Sequence, residues 1–122
     1  MKKIVVGGQI DRKEVAKLVE QHAEGKFDVE VKGDLDAAMA LKNGQADYYL
    51  GACNTGGGGA LAMAIALVGR NQTSSVSMPG KIMTEDEIRE EVAAGKKAFG
   101  FTAQHMETVV PIIMKELVNK EN

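Results

Sequence analysis

The sequence of 122 residues has a single cysteine, two prolines and no tryptophan, and only 4% of its residues are aromatic. One cysteine excludes an intrachain disulfide framework. Because the lack of disulfides is typical of proteins in a reducing compartment, we expect a cytoplasmic protein. The scarcity of aromatic side chains disfavours base stacking, and a formal net charge of −2 provides no basic surface. We therefore expect no nucleic-acid partner.

No hydrophobic run in the sequence is long enough for a membrane-spanning helix. The longest run covers residues 60–68, whereas a helix needs about 20 apolar residues to cross a bilayer. Charged residues occur within the first few positions, which predicts that the chain does not begin with a signal peptide. With 44% hydrophobic residues and a length typical of one domain, residues 1–122 are expected to fold as a single α/β domain.

What the sequence does contain is a regular alternation of strand and helix patterns. Short apolar or alternating segments predict strands at residues 4–6, 27–31, 46–53, 73–77 and 98–101. Helical patterns follow each strand, and the predicted N-terminal caps are Asp11 with Glu14, Asp34, Thr84 with Glu87, and Thr102. This order predicts a three-layer α/β sandwich, in which a five-stranded parallel sheet of flavodoxin- or Rossmann-like order 2-1-3-4-5 has helices on both faces.

The strongest functional feature is the segment of residues 53–59, after the third predicted strand. Cys53 is followed by Asn54, Thr55 and four glycines, Gly56, Gly57, Gly58 and Gly59, and then by a helix that is apolar on every side. Glycines let backbone N–H groups converge on an anion, and a helix N-terminus carries partial positive charge. The segment therefore predicts a phosphate or carboxylate site, with positive φ at Gly57 or Gly58. The alternative is that the glycines only permit a tight turn and close helix packing.

Further candidate residues follow other strands, because ligands of parallel sheets bind where the strands end. Gly8 and Gln9 follow the first strand and should face the segment that begins at Cys53. Lys81 could add positive charge over an anion, or it could be a solvated turn lysine. His105 could act as an acid, a base or an anion contact, or it could be a surface residue. Cys53 lies near a helix N-terminus and could be a reactive thiolate, although a lone cysteine is more often a small buried hydrophobe.

The same residues argue against a metal or a cofactor. One histidine and one cysteine at the ends of the predicted strands are too few nitrogen and sulfur ligands for zinc. The glycine run is not followed by the Lys-Ser/Thr pair of a Walker loop, and it does not have the GxGxxG spacing. We expect neither a metal nor a cofactor.

Two helices offer more apolar surface than one face of a small sheet requires. Residues 60–68 are apolar on every side, and residues 106–117 carry a clean apolar stripe. This surplus predicts a dimer or a higher homo-oligomer.

The whole chain resembles a family of short bacterial proteins classed as a domain of unknown function. The block GACNTGGGGALAMAIA is the most specific part of the resemblance, and the segments GGQI, KGDLDAAMALKNGQADYYL, SMPGK and GKKAFGFTAQH belong to it as well. The resemblance implies a bacterial cytoplasmic protein. It also implies a possible partner among membrane transporters or enzymes of small-molecule catabolism.

A local part of the chain is similar to the Cys-Gly-Thr-Gly-x-Gly block of type B ribose-5-phosphate isomerases. In that family the cysteine is the base for enediol isomerisation and the glycine loop binds the substrate, which implies these roles for Cys53 and the residues after it. Asn54 replaces the first glycine of the block, and the Asp-His pair that the family has after the first strand is absent here. The B components of sugar phosphotransferase systems also carry a cysteine–glycine loop, but their phosphorylated cysteine follows the first strand.

These observations favour a domain that binds a small anionic metabolite. The alternatives are a sugar-phosphate isomerase that uses Cys53 and a subunit associated with phosphotransfer or transport. An enediol mechanism needs a base and a second acid, and the candidate groups are limited to Cys53, His105, Asp34 and Lys81. Whether the chain is an enzyme stays open at this point.

Overall fold

A computed structural model describes residues 1–54 and 57–122, so Thr55 and Gly56 lie outside the described residues. The strands are β1 Lys2–Gly8, β2 Phe27–Val31, β3 Tyr48–Cys53, β4 Thr73–Ser75, β5 Ser77–Met78, β6 Lys81–Ile82 and β7 Ala98–Thr102. The helices are α1 Arg12–His22, α2 Asp34–Lys42, α3 Gly57–Val68, α4 Glu85–Ala93 and α5 Met106–Lys120. Short 3₁₀ helices cover Arg70–Gln72 and Ala103–His105.

Within the described residues, five strands form a parallel sheet in the order β2-β1-β3-β7-β4. The predicted three-layer α/β sandwich is therefore confirmed. The predicted positions of the last two sheet strands are wrong, because β7 pairs with β3 and β4 lies at the edge. The physical reason is burial: all five residues of β7 are buried, whereas β4 is a three-residue strand of Thr and Ser that suits an edge.

The helices are divided between the two faces of the sheet. Helices α2 and α3 pack against each other on one face, over a core that includes Val5, Tyr49 and Leu61. Helices α1, α4 and α5 cover the other face, over a larger core that includes Leu50 and Phe101. The connections through α1 and α4 cross the sheet in one direction, and those through α2 and α3 cross it in the opposite direction. Because each crossover is right-handed, the two pairs of helices lie on opposite faces.

The helix starts show which local predictions are correct. Thr84 and Glu87 form the predicted capping box, in which each side chain accepts a hydrogen bond from the other residue's backbone N–H. Asp11 makes no side-chain cap and has a left-handed backbone with φ of 54°, so the acidic capping box is wrong. Gly33 rather than Asp34 is the N-cap of α2, and this difference releases the Asp34 carboxylate for another role.

Other differences concern the elements that surround the predicted site. Helix α3 begins at Gly57, so Gly57 and Gly58 belong to the helix rather than to a loop before it, and the expectation of positive φ at one of them stays a prediction. The segment around Pro79 and Gly80, expected as a loop, is the turn of an antiparallel hairpin between β5 and β6.

The apolar stripe of the last helix is used within the chain. Val109, Val110, Ile113, Met114 and Leu117 are buried, and α5 continues through Pro111 as one helix. Across residues 1–54 and 57–122, none of the helices combines the length and the apolar character that a bilayer crossing requires.

Candidate functional site

The parallel strands end at one edge of the sheet, which we call the carboxyl edge. Here the strand order reverses between β1 and β3, and Gly8 pairs with Ala52. The backbone N–H groups of Gln9 and Ile10 both donate to the Ala52 carbonyl, at 2.9 and 3.3 Å. The segment after β1 therefore bends over the end of β3, which confirms that the Gly8–Gln9 segment and the end of β3 are neighbours.

The Tyr49 hydroxyl connects four elements just below this edge. It accepts a hydrogen bond from the Gly8 N–H at 2.9 Å and lies 2.5 Å from Asp34 Oδ1 and 2.7 Å from the Ala60 carbonyl oxygen. The hydroxyl has one proton for these two acceptors, so it donates to one of them or is shared between them. Burial of the phenol raises the pKa of Tyr49 far above its usual value, and the hydrogen bond with Asp34 raises it further.

Three glycines make room for this arrangement. A Cβ on Gly7 would lie 2.7 Å from both Ala37 Cβ and Tyr49 Cε2, and a Cβ on Gly51 would lie 2.9 Å from the Tyr49 hydroxyl. Gly8 has φ of 81°, and a Cβ there would lie 2.5 Å from the Ala52 nitrogen. These glycines therefore serve close packing of β1, β3 and α2. The Gly8 N–H is already used by Tyr49 and Asp34, so it is not available to a ligand.

The end of β3 lies beside the end of β7, and their last residues, Cys53 and Thr102, are register partners. Side chains alternate along a strand. Since Tyr49 and Ala98 belong to the core under α2 and α3, Cys53 and Thr102 lie on that same face, at the end from which the chain enters α3. Both residues are buried, Cys53 at 0% and Thr102 at 3% exposure.

Thr102 has a polar group that the fold leaves unused. Its backbone N–H donates to Ser77 Oγ at 3.0 Å, but in the part of the chain that the structure describes its buried side-chain hydroxyl has no hydrogen-bond partner. An unsatisfied buried hydroxyl costs about 1–3 kcal/mol of stability. A group of this kind is either a defect of the fold or a contact for something that binds there.

His105 is the last residue of the short 3₁₀ helix that follows β7. Its side chain is partly buried, and its Nδ1 is a second buried polar atom without a partner among the described residues. Its place after the same strand end as Thr102 keeps it a candidate for the site.

The remaining predicted site residues are dispersed. Gln9 and Asn54 are exposed at the carboxyl edge, and Gly59 is partly exposed in the first turn of α3. Lys81 lies on β6, where it lines a cavity of about 110 Å³ together with Ser77 and Glu87. The hairpin that carries Lys81 follows the edge strand β4, which β7 separates from β3, so the strand order moves Lys81 away from the Cys53 position.

A larger cleft of about 390 Å³ opens between the segments that follow β1 and β2. Gln9, Arg12, Lys32 and Gly33 contribute to its walls, together with Asp11 and other residues of the first turn of α1. The Arg12 guanidinium donates to the Gly8 carbonyl at 3.0 Å. This cleft adjoins the carboxyl edge on the β2 side and has charges of both signs.

Asp34, Tyr49 and Thr102 are the residues whose structural roles the sequence did not reveal. Asp34 and Thr102 were expected as helix caps and Tyr49 as part of a buried strand. In the described ranges, no three His, Cys, Asp or Glu side chains are grouped as metal ligands.

These features define a three-layer α/β domain with a polar, partly unsatisfied carboxyl edge. The chain belongs to the family described as "Protein of unknown function DUF2620", whose model matches residues 2–117. It is 43% identical over 117 residues to the proteins described as "Uncharacterized protein YhfU" of Escherichia coli (strain K12) and of Shigella flexneri. The match covers 96% of this chain and 99% of each relative. No solved structure matches the chain.

Proposed function

We propose that the chain binds a small metabolite through a phosphate or carboxylate group at the carboxyl edge, where β3 and β7 end and α3 begins. The observation that carries this proposal is the buried Thr102 hydroxyl, which has no partner among the described residues. A hydroxyl can donate a hydrogen bond to an anionic oxygen, and such a charge-assisted bond is about twice as strong as a neutral one.

The position of α3 supports an anion rather than a neutral ligand. The helix has 12 residues and no acidic residue of its own in its first turn, and the partial positive charge of a helix N-terminus favours an anion. Three residues that belong to the proposed site, Asn54, Thr55 and Gly56, connect this helix to β3, and the last two lie outside the described residues. His105, after β7, supplies a second buried polar atom that a ligand could satisfy.

Binding is favoured over turnover by the small number of acid–base groups among the candidate residues. An enediol mechanism needs a base and a second acid, whereas Lys81, one of the candidate groups, lies on the hairpin beyond the edge strand and away from Cys53. A binding site needs only the Thr102 hydroxyl and the helix N-terminus, neither of which depends on the thiol. Sugar-phosphate isomerisation through Cys53 is therefore the second candidate.

Isothermal titration with inorganic phosphate and with a small carboxylate tests the proposal. Thr102→Val removes the hydroxyl at nearly constant volume, and it should weaken phosphate binding about tenfold or more, because a hydrogen bond to a charged group contributes about 1.5–3 kcal/mol. Thr108→Val is the matched control, since Thr108 is exposed on α5 and should leave the affinity unchanged.

Cys53→Ser separates the two candidate functions. A binding domain should keep most of its affinity, whereas an isomerase should lose its turnover of sugar phosphates. Absence of binding by the unsubstituted protein to both anions, or unchanged affinity in Thr102→Val, would contradict the proposed site.

A further inference from the structure

Helix α3 exposes an apolar surface that nothing within the described residues covers. Gly57–Val68 contains no charged residue, and Ala62, Met63 and Ala66 on its outer side are exposed, Met63 at 41%. The sequence suggested that this helix must be covered nearly all round. The sheet and α2 cover only its inner side, where Ala60, Leu61 and Ala64 are buried.

Helix α2 extends this surface, because it packs directly against α3 in the same layer. Its exposed side carries Leu35 at 55% and Met39 at 38% exposure. We call the combined outer surface of the two helices the α2–α3 face; it consists of Leu35, Asp36, Met39, Lys42, Ala62, Met63 and Ala66. Contiguous apolar surface of this kind on a small domain marks an interaction site.

The charges on this face point to its partner. Asp36 lies in the first turn of α2 and Lys42 in the last, with Met39 midway between them. Neither residue forms a salt bridge within the described part of the chain. If two copies stack with their α2 helices antiparallel, Asp36 of each copy faces Lys42 of the other, while Met39 and Met63 come together at the centre. If the two copies stacked with their α2 helices parallel, α2 of each copy would lie over α3 of the other, and Asp36 and Lys42 would face a helix that contains no charged residue.

The size of the face agrees with such a pairing. Helices of nine and 12 residues are about 14 and 18 Å long, and packed helix axes lie about 10 Å apart. The face therefore measures about 300 Å² in projection on each copy, which is within the size range of surface patches that mark interaction sites on small proteins.

We infer that the α2–α3 face is the interface of a twofold symmetric dimer of this chain, with α2 of one copy antiparallel to α2 of the other. The interface is isologous, so each contact occurs twice. This inference does not depend on the proposed anion site.

Sedimentation velocity or light scattering at tens of micromolar protein tests the inference. The unsubstituted chain should have about twice the mass of the 13.0 kDa chain. Met63→Glu should produce a monomer with an unchanged circular dichroism spectrum, because its side chain is already solvent-exposed within one copy. Met78→Glu is the matched control: Met78 is a similarly exposed methionine, at 45%, but it lies on the β5–β6 hairpin and should leave the dimer intact.

Charge swaps test the antiparallel orientation separately. Asp36→Lys and Lys42→Asp should each weaken the dimer several-fold, because each places like charges opposite one another, and the double variant should restore it. A monomeric unsubstituted chain would overturn the inference, and so would a dimer that survives Met63→Glu or one that dissociates in Met78→Glu. A double swap no better than the single swaps would overturn the antiparallel arrangement.

Discussion

Removal of the Tyr49 hydroxyl is the perturbation whose cost follows most directly from the geometry of the carboxyl edge. Tyr49→Phe keeps the buried ring and deletes a hydroxyl that accepts from Gly8 N–H and lies within hydrogen-bond distance of Asp34 and Ala60. The Gly8 N–H retains a weaker acceptor, since Asp34 Oδ1 lies 3.2 Å from it. The substitution therefore removes the hydrogen bonds of one hydroxyl but does not leave the Gly8 N–H without an acceptor.

We expect this substitution to lower the free energy of unfolding by about 1–3 kcal/mol, the usual cost of disrupting a buried hydrogen bond, with the upper end reached if the Asp34 carboxylate is left poorly paired. For a domain of this size, the melting temperature should fall by roughly 4–12 °C. Urea unfolding followed by far-UV circular dichroism gives the free energy directly.

Tyr48→Phe is the control for this experiment, because the adjacent Tyr48 is a buried ring in the same strand. In the described part of the chain its hydroxyl makes no hydrogen bond to the protein, so its removal should change stability by less than about 0.5 kcal/mol. Equal effects of the two substitutions would refute the view that the Tyr49 hydroxyl holds β1, β3, α2 and α3 together.

Three further predictions concern stability. Gly7→Ala should destabilise the fold by about 1–3 kcal/mol in urea unfolding, because its Cβ would overlap Ala37 and Tyr49, whereas Gly33→Ala, with open space around it, should cost less than about 1 kcal/mol, which reflects only its N-cap position on α2. Thr84→Ala should cost about 1 kcal/mol through loss of the capping box, and an unchanged melting temperature would contradict the cap. Burial raises the pKa of Tyr49, so the unfolded state loses a proton first and the unfolding free energy should fall as pH rises above about 10. Tyr49→Phe should make this decline shallower by up to about 1.4 kcal/mol per pH unit in urea titrations at successive pH values. If the unfolding free energy of Tyr49→Phe fell with pH as steeply as that of the unsubstituted protein, the contribution assigned to Tyr49 would be contradicted.

Features that depend on local sequence were predictable. The alternation of strand and helix patterns indicated the layered α/β class, because each pattern is set by which side chains face the core. The Thr84–Glu87 capping box was likewise evident, since both partners lie within one helical turn. The Asp11–Glu14 pair has the same spacing and fails, because the left-handed backbone at Asp11 continues the bend of the chain over β3.

The positions of the last two sheet strands depend on how apolar each strand is. The prediction placed the strands in chain order and did not compare their hydrophobicity. The apolar segment of β7 competes better for the centre of the sheet than the Thr and Ser residues of β4. The resulting exchange separates Lys81 from Cys53 and places Thr102 beside Cys53.

The hydrogen bonds of the carboxyl edge were not predictable, because they join residues that are distant along the chain. Tyr49 is 41 residues from Gly8 and 15 from Asp34, and no spacing rule relates them. The lack of a partner for the Thr102 hydroxyl among the described residues could not be predicted either, since a threonine between a strand and a helix normally caps the helix. Only the three-dimensional arrangement shows that it caps nothing.

The most direct test of the account is the unfolding free energy of Thr102→Val, measured with and without inorganic phosphate. Without phosphate, the variant should be as stable as the unsubstituted protein or more stable by up to about 1–3 kcal/mol, because a methyl group replaces a buried hydroxyl that has no partner in the described structure. With phosphate, the unsubstituted protein should gain more stability than the variant, by about 1.4 kcal/mol for a tenfold difference in affinity at saturating phosphate, because only it retains the hydroxyl that contributes to binding. A variant that is destabilised without phosphate, yet gains as much from phosphate as the unsubstituted protein, would show that the hydroxyl serves the fold and that the anion site is not there.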